Sequence, residues 1–459
     1  MKKQKLDLIK DPIPHLIIKM AIPVSVGFFF HTMFNVVDTY FASQIDSVAV
    51  AAITITFPIF FMIIAISSGT RTGATALIAN AEGANNKDLA KQYAIQTISF
   101  SVIASIIIMI VGLISAPYLF KILHAEGDYF NFAIQYTNIL LYGCLFIILD
   151  STPTAGLNAV GDTKTYGRVF IIGFFVNLIL DPLFIYGYGP IPSMGVKGIA
   201  YATIFAEFIA TIYVFYRVKK MTSYFDNITL IDFLPKIKHQ YEIAKQAFPA
   251  SINMFAVGAG FFIITFFVSY FPTPETSDVS IAAYGIAIRI EQIILLPAIG
   301  LNFACLSLTG QNYGAANFNR IREGYLTSMK YGFILLFFGG IILYFGASFF
   351  MNLFTNDEQV INIGTQYIKV AAFFTPVIAI LNISIALMQG LKTPSYTVFI
   401  SIFKEIIAPI FTLYLLCFYF NFQLIGIWSS LLIVNYFTVF IFLLMLNYKT
   451  KSIGLKIFN

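Results

Sequence analysis

Charge is scarce in this 459-residue sequence: 11% of the residues are Asp, Glu, Lys or Arg, against 58% hydrophobic. Soluble domains carry roughly 25% charged residues, so an ordinary water-soluble globule is excluded, and the mean hydropathy of +0.82 agrees. Cysteine is scarcer still. Cys144, Cys305 and Cys417 are odd in number, lie in or beside apolar runs and show no C-x-x-C spacing, which argues against a disulfide framework and a zinc site. Histidine is limited to His15, His31, His124 and His239, with no metal-ligand spacing. Only His31 falls inside an apolar run, where it is a candidate proton-linked or pocket residue. Long polar loops are also missing, and with them the room for the surface catalytic clusters that an integral-membrane enzyme needs. Residues 1–15 are polar and carry Asp7, Asp11 and Pro12, so a cleavable signal is not expected at this end.

What the sequence does have is apolar runs of about twenty residues, the length that crosses a bilayer. They fall near 17–41, 51–79, 93–116, 131–152, 168–188, 197–217, 243–270, 280–309, 328–350, 365–389, 396–420 and 423–446. The abundant Phe and Tyr fit lipid-facing surfaces and interfacial belts. With an inside N-terminus, 22 of the 28 basic residues lie in cytoplasmic segments; Lys121, Lys197 and Lys369 lie outside, and Arg71, Arg289 and Lys404 within spans. The positive-inside rule therefore predicts twelve helices with both termini cytoplasmic. The net charge of +6 sits where anionic lipid would lie, and it calls for no nucleic-acid partner.

The longest polar interval, 219–242, divides the chain into an N-terminal lobe (1–218) and a C-terminal lobe (243–459) of six spans each. The halves repeat. Lys19-Met-Ala-Ile-Pro23-Val-Ser25 is echoed by Lys245-Gln-Ala-Phe-Pro249-Ala-Ser251. Ala51-Ala52, Gly69 and Gly83-Ala84 match Ala282-Ala283, Gly300 and Gly314-Ala315, and Gly161 matches Gly390. Equal spans per half put the lobes in parallel, related by a pseudo-two-fold axis along the membrane normal, an all-α arrangement typical of transporters.

The repeat breaks at two acids. Asp38 lies near the end of the first run, and Asp181 lies inside the fifth, in Asn177-Leu-Ile-Leu-Asp181-Pro182; the matching C-terminal positions, Ile264 and Ala408, are apolar. An ionised acid at such depth is costly and is a functional candidate by default. An acid needed only for folding would be expected in both halves. Asn35 precedes Asp38 by three residues and Asn177 precedes Asp181 by four, so each amide shares a helix face with its acid. At about 1.5 Å per residue, Asp38 lies about 28 Å and Asp181 about 20 Å along their helices, both in the outer half. Two such carboxylates with amide oxygens can share a proton or coordinate a hard cation.

Together, Ile22-Pro23, Asn35-Val-Val-Asp38-Thr39, Gly83-Ala84, Gly161-Asp-Thr-Lys164, Asn177-Leu-Ile-Leu-Asp181-Pro182 and Gly310-Gln-Asn-Tyr-Gly314-Ala315 carry a family signature. Over essentially its whole length the chain resembles the multidrug and toxic compound extrusion (MATE) transporters, particularly their DinF-like prokaryotic branch. The resemblance implies efflux of amphipathic, often cationic, compounds in exchange for H⁺ or Na⁺, with no other cofactor, by a monomer in the inner membrane. It implies a proton or Na⁺ site at Asp38, Asn177, Asp181 and Thr203, and bending of the first span near Pro23. The NorM-like branch uses acids on spans seven and ten, and neither 243–270 nor 365–390 contains one. Arg289 and Glu291, with Lys404 and Glu405, are candidates either for structural pairs between the lobes or for secondary coupling and substrate contacts. Adjacent helical residues point apart, so Lys404 and Glu405 are expected to find partners on other helices. Glu207 is a candidate for the N-terminal site. Arg71 is a candidate neutraliser of one acid or a salt-bridged structural residue, and Glu82, Asp150 and Asp162 are expected to be solvated or capping. A lipid-linked sugar flippase would want a basic cavity, for which three intramembrane bases are too few.

Overall fold

The computed structural model describes residues 6–45, 47–123, 125–270 and 277–458; Lys2, Lys3, Lys5 and His124 lie outside them. The described chain forms α1 (Ile13–Ile45), α2 (Ser47–Gly83), α3 (Lys87–Ile122), α4 (Gly127–Leu149), α5 (Ser151–Ala159), α6 (Thr163–Tyr186) and α7 (Val196–Met221). After a 3-10 turn at Leu230–Phe233 follow α8 (Ile237–Tyr270), α9 (Ser277–Gly314), α10 (Phe318–Asn352), α11 (Glu358–Gly390), α12 (Ser395–Ile402), α13 (Ala408–Leu413) and α14 (Gln423–Ser452). Among the described residues, twelve helical stretches are long and apolar enough to span a membrane, α4 with α5 making one and α12 with α13 another. Backbone groups in hydrocarbon need internal partners, and the helix supplies them.

Local chemistry starts and stops these helices. Asn86 accepts from the Leu89 amide at 3.0 Å, Asp162 from Thr165 at 3.3 Å and Asp357 from Gln359 at 2.9 Å, so each caps the helix it precedes. Two tight turns recur between the halves. Asn85 and Ala316 share a left-handed φ (57° and 55°), as do Gly161 and Lys392 (82° and 57°), both pairs 231 residues apart. Lys392, not Gly390, is therefore the structural counterpart of Gly161. Gly390 is still helical, and its bare α-carbon serves packing: a Cβ there would meet the Thr309 Cβ at 2.7 Å.

The described residues pack into two compact units, one made of those within 26–251 and the other of those within 1–25 and 252–459. The crossings fall inside α1 and α8, two residues after Pro23 and Pro249, rather than in the polar linker. Within the first unit, the start of α8 lies against α2 so closely that a Cβ on Gly69 would meet the Ser251 nitrogen at 2.6 Å, and one on Gly73 the Ala247 nitrogen at 2.6 Å. Within the second, a Cβ on Gly300 of α9 would collide with the Ala21 carbonyl oxygen and the Ser25 hydroxyl of α1. Gly69 and Ser251 are the repeat equivalents of Gly300 and Ser25. Each half thus lends the start of its leading helix to the other half's unit. The first unit's core gathers Leu77, Ile78, Tyr93, Leu157, Val214 and Ile243; the second is centred on Tyr284, Tyr367 and Trp428.

Candidate ion and substrate site

Three helices of the first unit bring the sequence-predicted residues together: α1 carries Asp38, α6 carries Asn177 and Asp181, and α7 carries Thr203. All four are buried, Asn177 and Asp181 completely. The Asn177 amide donates to Asp181 Oδ1 at 3.2 Å, the bond that i, i+4 spacing allows. The Thr203 hydroxyl reaches both the Ile199 carbonyl at 3.0 Å and Asp38 Oδ2 at 3.4 Å. Asp38 adjoins Asn177 and Asp181. Asp38 Oδ1, Asn177 Oδ1 and Asp181 Oδ2 are buried without a hydrogen-bond partner. Buried acceptors are normally satisfied, so three orphaned oxygens from adjoining side chains make a built acceptor site. All are hard oxygen donors, which suit a proton or a hard cation and not a soft metal.

Sequence reasoning missed Tyr136. It is buried on α4, near enough to Asp38 and Asp181 for their charges to act on its phenol, which brings a fourth helix into the site's surroundings. Its one signal was a hydroxyl in an apolar run, which many core tyrosines share.

A cavity abuts this site, lined by His31, Asn35, Asp150, Phe170, Thr203 and Glu207 among others. Asn35 is not joined to Asp38; its amide donates to its own helix at the His31 carbonyl, 3.0 Å away. The His31 ring lies edge-on to Phe170 with centroids 4.7 Å apart. Glu207 lines the cavity, as Thr203 does. Arg71 is buried with its guanidinium 4.8 Å from the Tyr166 ring centroid and a 3.2 Å bond to Ser68, and its charge acts on Asp150 and Glu207.

Asp150 corrects an expectation. It is buried, not solvated, and makes no cap bond to α5. The span continues through α5, so Asp150 lies at a break within the span rather than at its end. Asp162 does cap α6 and also pairs with Arg217 at 3.5 Å, while Glu82 accepts from the Tyr224 hydroxyl at 2.8 Å.

In the second unit Glu291 is buried and accepts from the Tyr367 hydroxyl at 2.5 Å, inside an aromatic cluster with Tyr284 and Trp428, while Arg289 is exposed. Lys404 and Glu405 pair with each other at 2.5 Å, contrary to the expectation of partners on other helices. They sit in a π-helical turn, Phe403–Ile407, which changes the angular spacing, and the four-carbon lysine stem curls back over it. Glu405 also packs on bare backbone: a Cβ on Gly260 would meet its Oε2 at 2.6 Å.

Among the described residues, twelve helices long and apolar enough to cross a membrane, with a buried acceptor site beside a cavity and close interhelical glycine contacts, form the architecture of a helical membrane transporter. The chain belongs to the MatE family, whose model matches residues 23–183 and 249–415, one stretch in each half. It is 26% identical over 405 residues to the probable multidrug resistance protein YoeA of Bacillus subtilis, covering 85% of each chain. It is 25% identical to the probable multidrug resistance protein NorM of Thermotoga maritima, over 92% of this chain and 90% of that one. The fold superposes on an outward-facing multidrug resistance MATE family transporter of the MOP superfamily with a TM-score of 0.90, at 24% identity over 99% of both chains.

Proposed function

We propose that this protein is a secondary antiporter of the cell's inner membrane, working as a monomer with both termini cytoplasmic. It exports amphipathic, often cationic, compounds in exchange for H⁺ or Na⁺. The observation that carries the reading is the set of orphaned oxygens on Asp38, Asn177 and Asp181. Two adjoining buried carboxylates repel each other and stay buried only with a proton or cation between them. The coupling ion is that proton or cation, taken up from outside and released inward. A membrane potential of 100 mV adds about 2.3 kcal/mol per charge moved inward.

Thr203 lines the cavity and also bonds Asp38, so occupation of one site bears on the other through a shared side chain, which supports exchange. Pro23 lacks an amide proton and leaves α1 without one internal bond; bending there is the proposed route between states. The test is efflux of a cationic dye from proteoliposomes under separately imposed H⁺ and Na⁺ gradients. Asp38→Asn and Asp181→Asn should each abolish ion-driven transport while inserting and melting like the parent. Full ion-driven transport by the double variant would refute the reading.

A further inference from the structure

The linker between α7 and α8 leaves apolar side chains uncovered. Leu230, Ile231, Leu234 and Ile237 are 88%, 73%, 61% and 87% exposed, and Tyr241 and Phe248 on the first turns of α8 are 67% and 68% exposed. Leu230, Ile231 and Leu234 line the 3-10 turn and its exit, and Ile237 and Tyr241 open α8, so the uncovered apolar side chains form a stripe along the chain from 230 to 241 rather than along one helix face. In a polar connecting segment such residues need a non-aqueous environment.

The segment is held firmly. Gln96 of α3, 1% exposed, donates through Nε2 to the Asp232 and Leu234 carbonyls at 2.9 Å each and accepts from the Lys236 amide at 2.7 Å. Ser99 donates to the Phe233 carbonyl at 2.5 Å, and Gln240 donates back to Gln96 at 3.0 Å. Gln96 and Ser99 lie in the first turns of the apolar run of α3, so the linker is strapped beside the start of that run.

Charge identifies what covers the stripe. From Lys219 to Lys245 five lysines outnumber three acids, Asp226, Asp232 and Glu242; Asp232 Oδ2 accepts from the Thr229 amide at 2.8 Å and hydroxyl at 3.0 Å, and Glu242 accepts from the Tyr93 hydroxyl at 2.6 Å, so two of the three acids are held against the protein. Lys236, Lys238 and Lys245 are exposed around the same stripe. An exposed apolar stripe fringed by an excess of lysine, held beside the start of an apolar run, matches an anionic lipid surface.

We propose that residues 229–241 are an interfacial anchor. Leu230, Ile231, Leu234 and Ile237 enter the leaflet on the linker's side, while Lys236 and Lys238 engage its anionic headgroups. That leaflet is the cytoplasmic one in the orientation proposed above; the anchor itself does not depend on which compounds are transported.

The experiment places one environment-sensitive fluorophore on full-length protein in lipid nanodiscs, through Leu234→Cys or Ile237→Cys; the three native cysteines are buried. Bromine-labelled lipid should quench the label strongly and aqueous iodide weakly. Brominated anionic lipid should quench better than brominated zwitterionic lipid, and this preference should fall about fivefold for each of Lys236→Gln and Lys238→Gln. Dominant iodide quenching would put the stripe in water, and protection from both quenchers would put protein over it; either overturns the proposal. A lipid preference unchanged by both lysine substitutions overturns the assignment to anionic lipid.

Discussion

The Thr203 hydroxyl bonds Asp38 Oδ2 at 3.4 Å while lining the cavity on its other side. A single side chain therefore touches both the acid pair and the space where a substrate would sit. Thr203→Val keeps the shape and removes the hydroxyl. A hydrogen bond to a carboxylate contributes about 1.5 kcal/mol or more, so ion-driven transport should fall about tenfold, and Thr203→Ser should restore most of it. Initial rates in proteoliposomes decide this; equal rates for the Val and Ser variants would mean that the hydroxyl has no part in coupling.

Gly73 tests the exchanged packing. Its missing side chain lets α2 meet the α8 backbone, where a Cβ would lie 2.6 Å from the Ala247 nitrogen and 2.8 Å from the Gln246 carbonyl carbon. Backbone cannot move aside as a flexible side chain can. Gly73→Ala should destabilise the protein by about 2 kcal/mol, read as a lower melting temperature in detergent. Gly173, whose added Cβ would meet nothing within 4 Å, is the control; equal melting shifts for the two alanines would contradict the close crossing.

The sequence made the spans legible because hydrocarbon thickness dictates run length, and it made Asn177 with Asp181 legible because four residues return a helix to one face. The exchange at Ser25 and Ser251 was not legible: a helix passing from one packing unit to another keeps its apolar pattern throughout. Tyr136 was hidden for a different reason, since its nearness to the two acids arises only from the tertiary placement of other helices. Asp150 and the Lys404–Glu405 pair were misread because a helix break and a π turn alter direction without altering hydropathy.

Pro23 should matter more for rate than for folding. Pro23→Ala restores an amide proton inside α1 and favours a straight helix by about 3 kcal/mol. Insertion and melting should be preserved or improved while transport under a fixed ion gradient slows. Unchanged turnover would show that α1 need not bend there.

The Glu291–Tyr367 bond sits in an aromatic cluster and reads as structural. Tyr367→Phe leaves a buried carboxyl without its donor and should cost about 1–3 kcal/mol of stability. Ion dependence of transport should be retained by the folded fraction. A variant that melts normally but loses its response to an ion gradient would move Glu291 into the coupling machinery.

Asp232 gives the linker a pH dependence whose sign is fixed. The Thr229 amide and hydroxyl, then the Lys236 and Lys91 charges, hold its carboxyl below the usual carboxylate range. A lowered folded value means that the ionised acid supports the turn at Leu230–Phe233 above the unfolded value of about 3.9 and loses that support as pH falls through the folded one. Hydrogen exchange of the amides at 229–234 should therefore be slow near neutrality and, after correction for intrinsic rates, should accelerate selectively below about pH 4. Asp232→Asn should exchange faster at neutral pH and lose most of the acid-dependent step. The same acid-dependent step in that variant would assign the transition to another group.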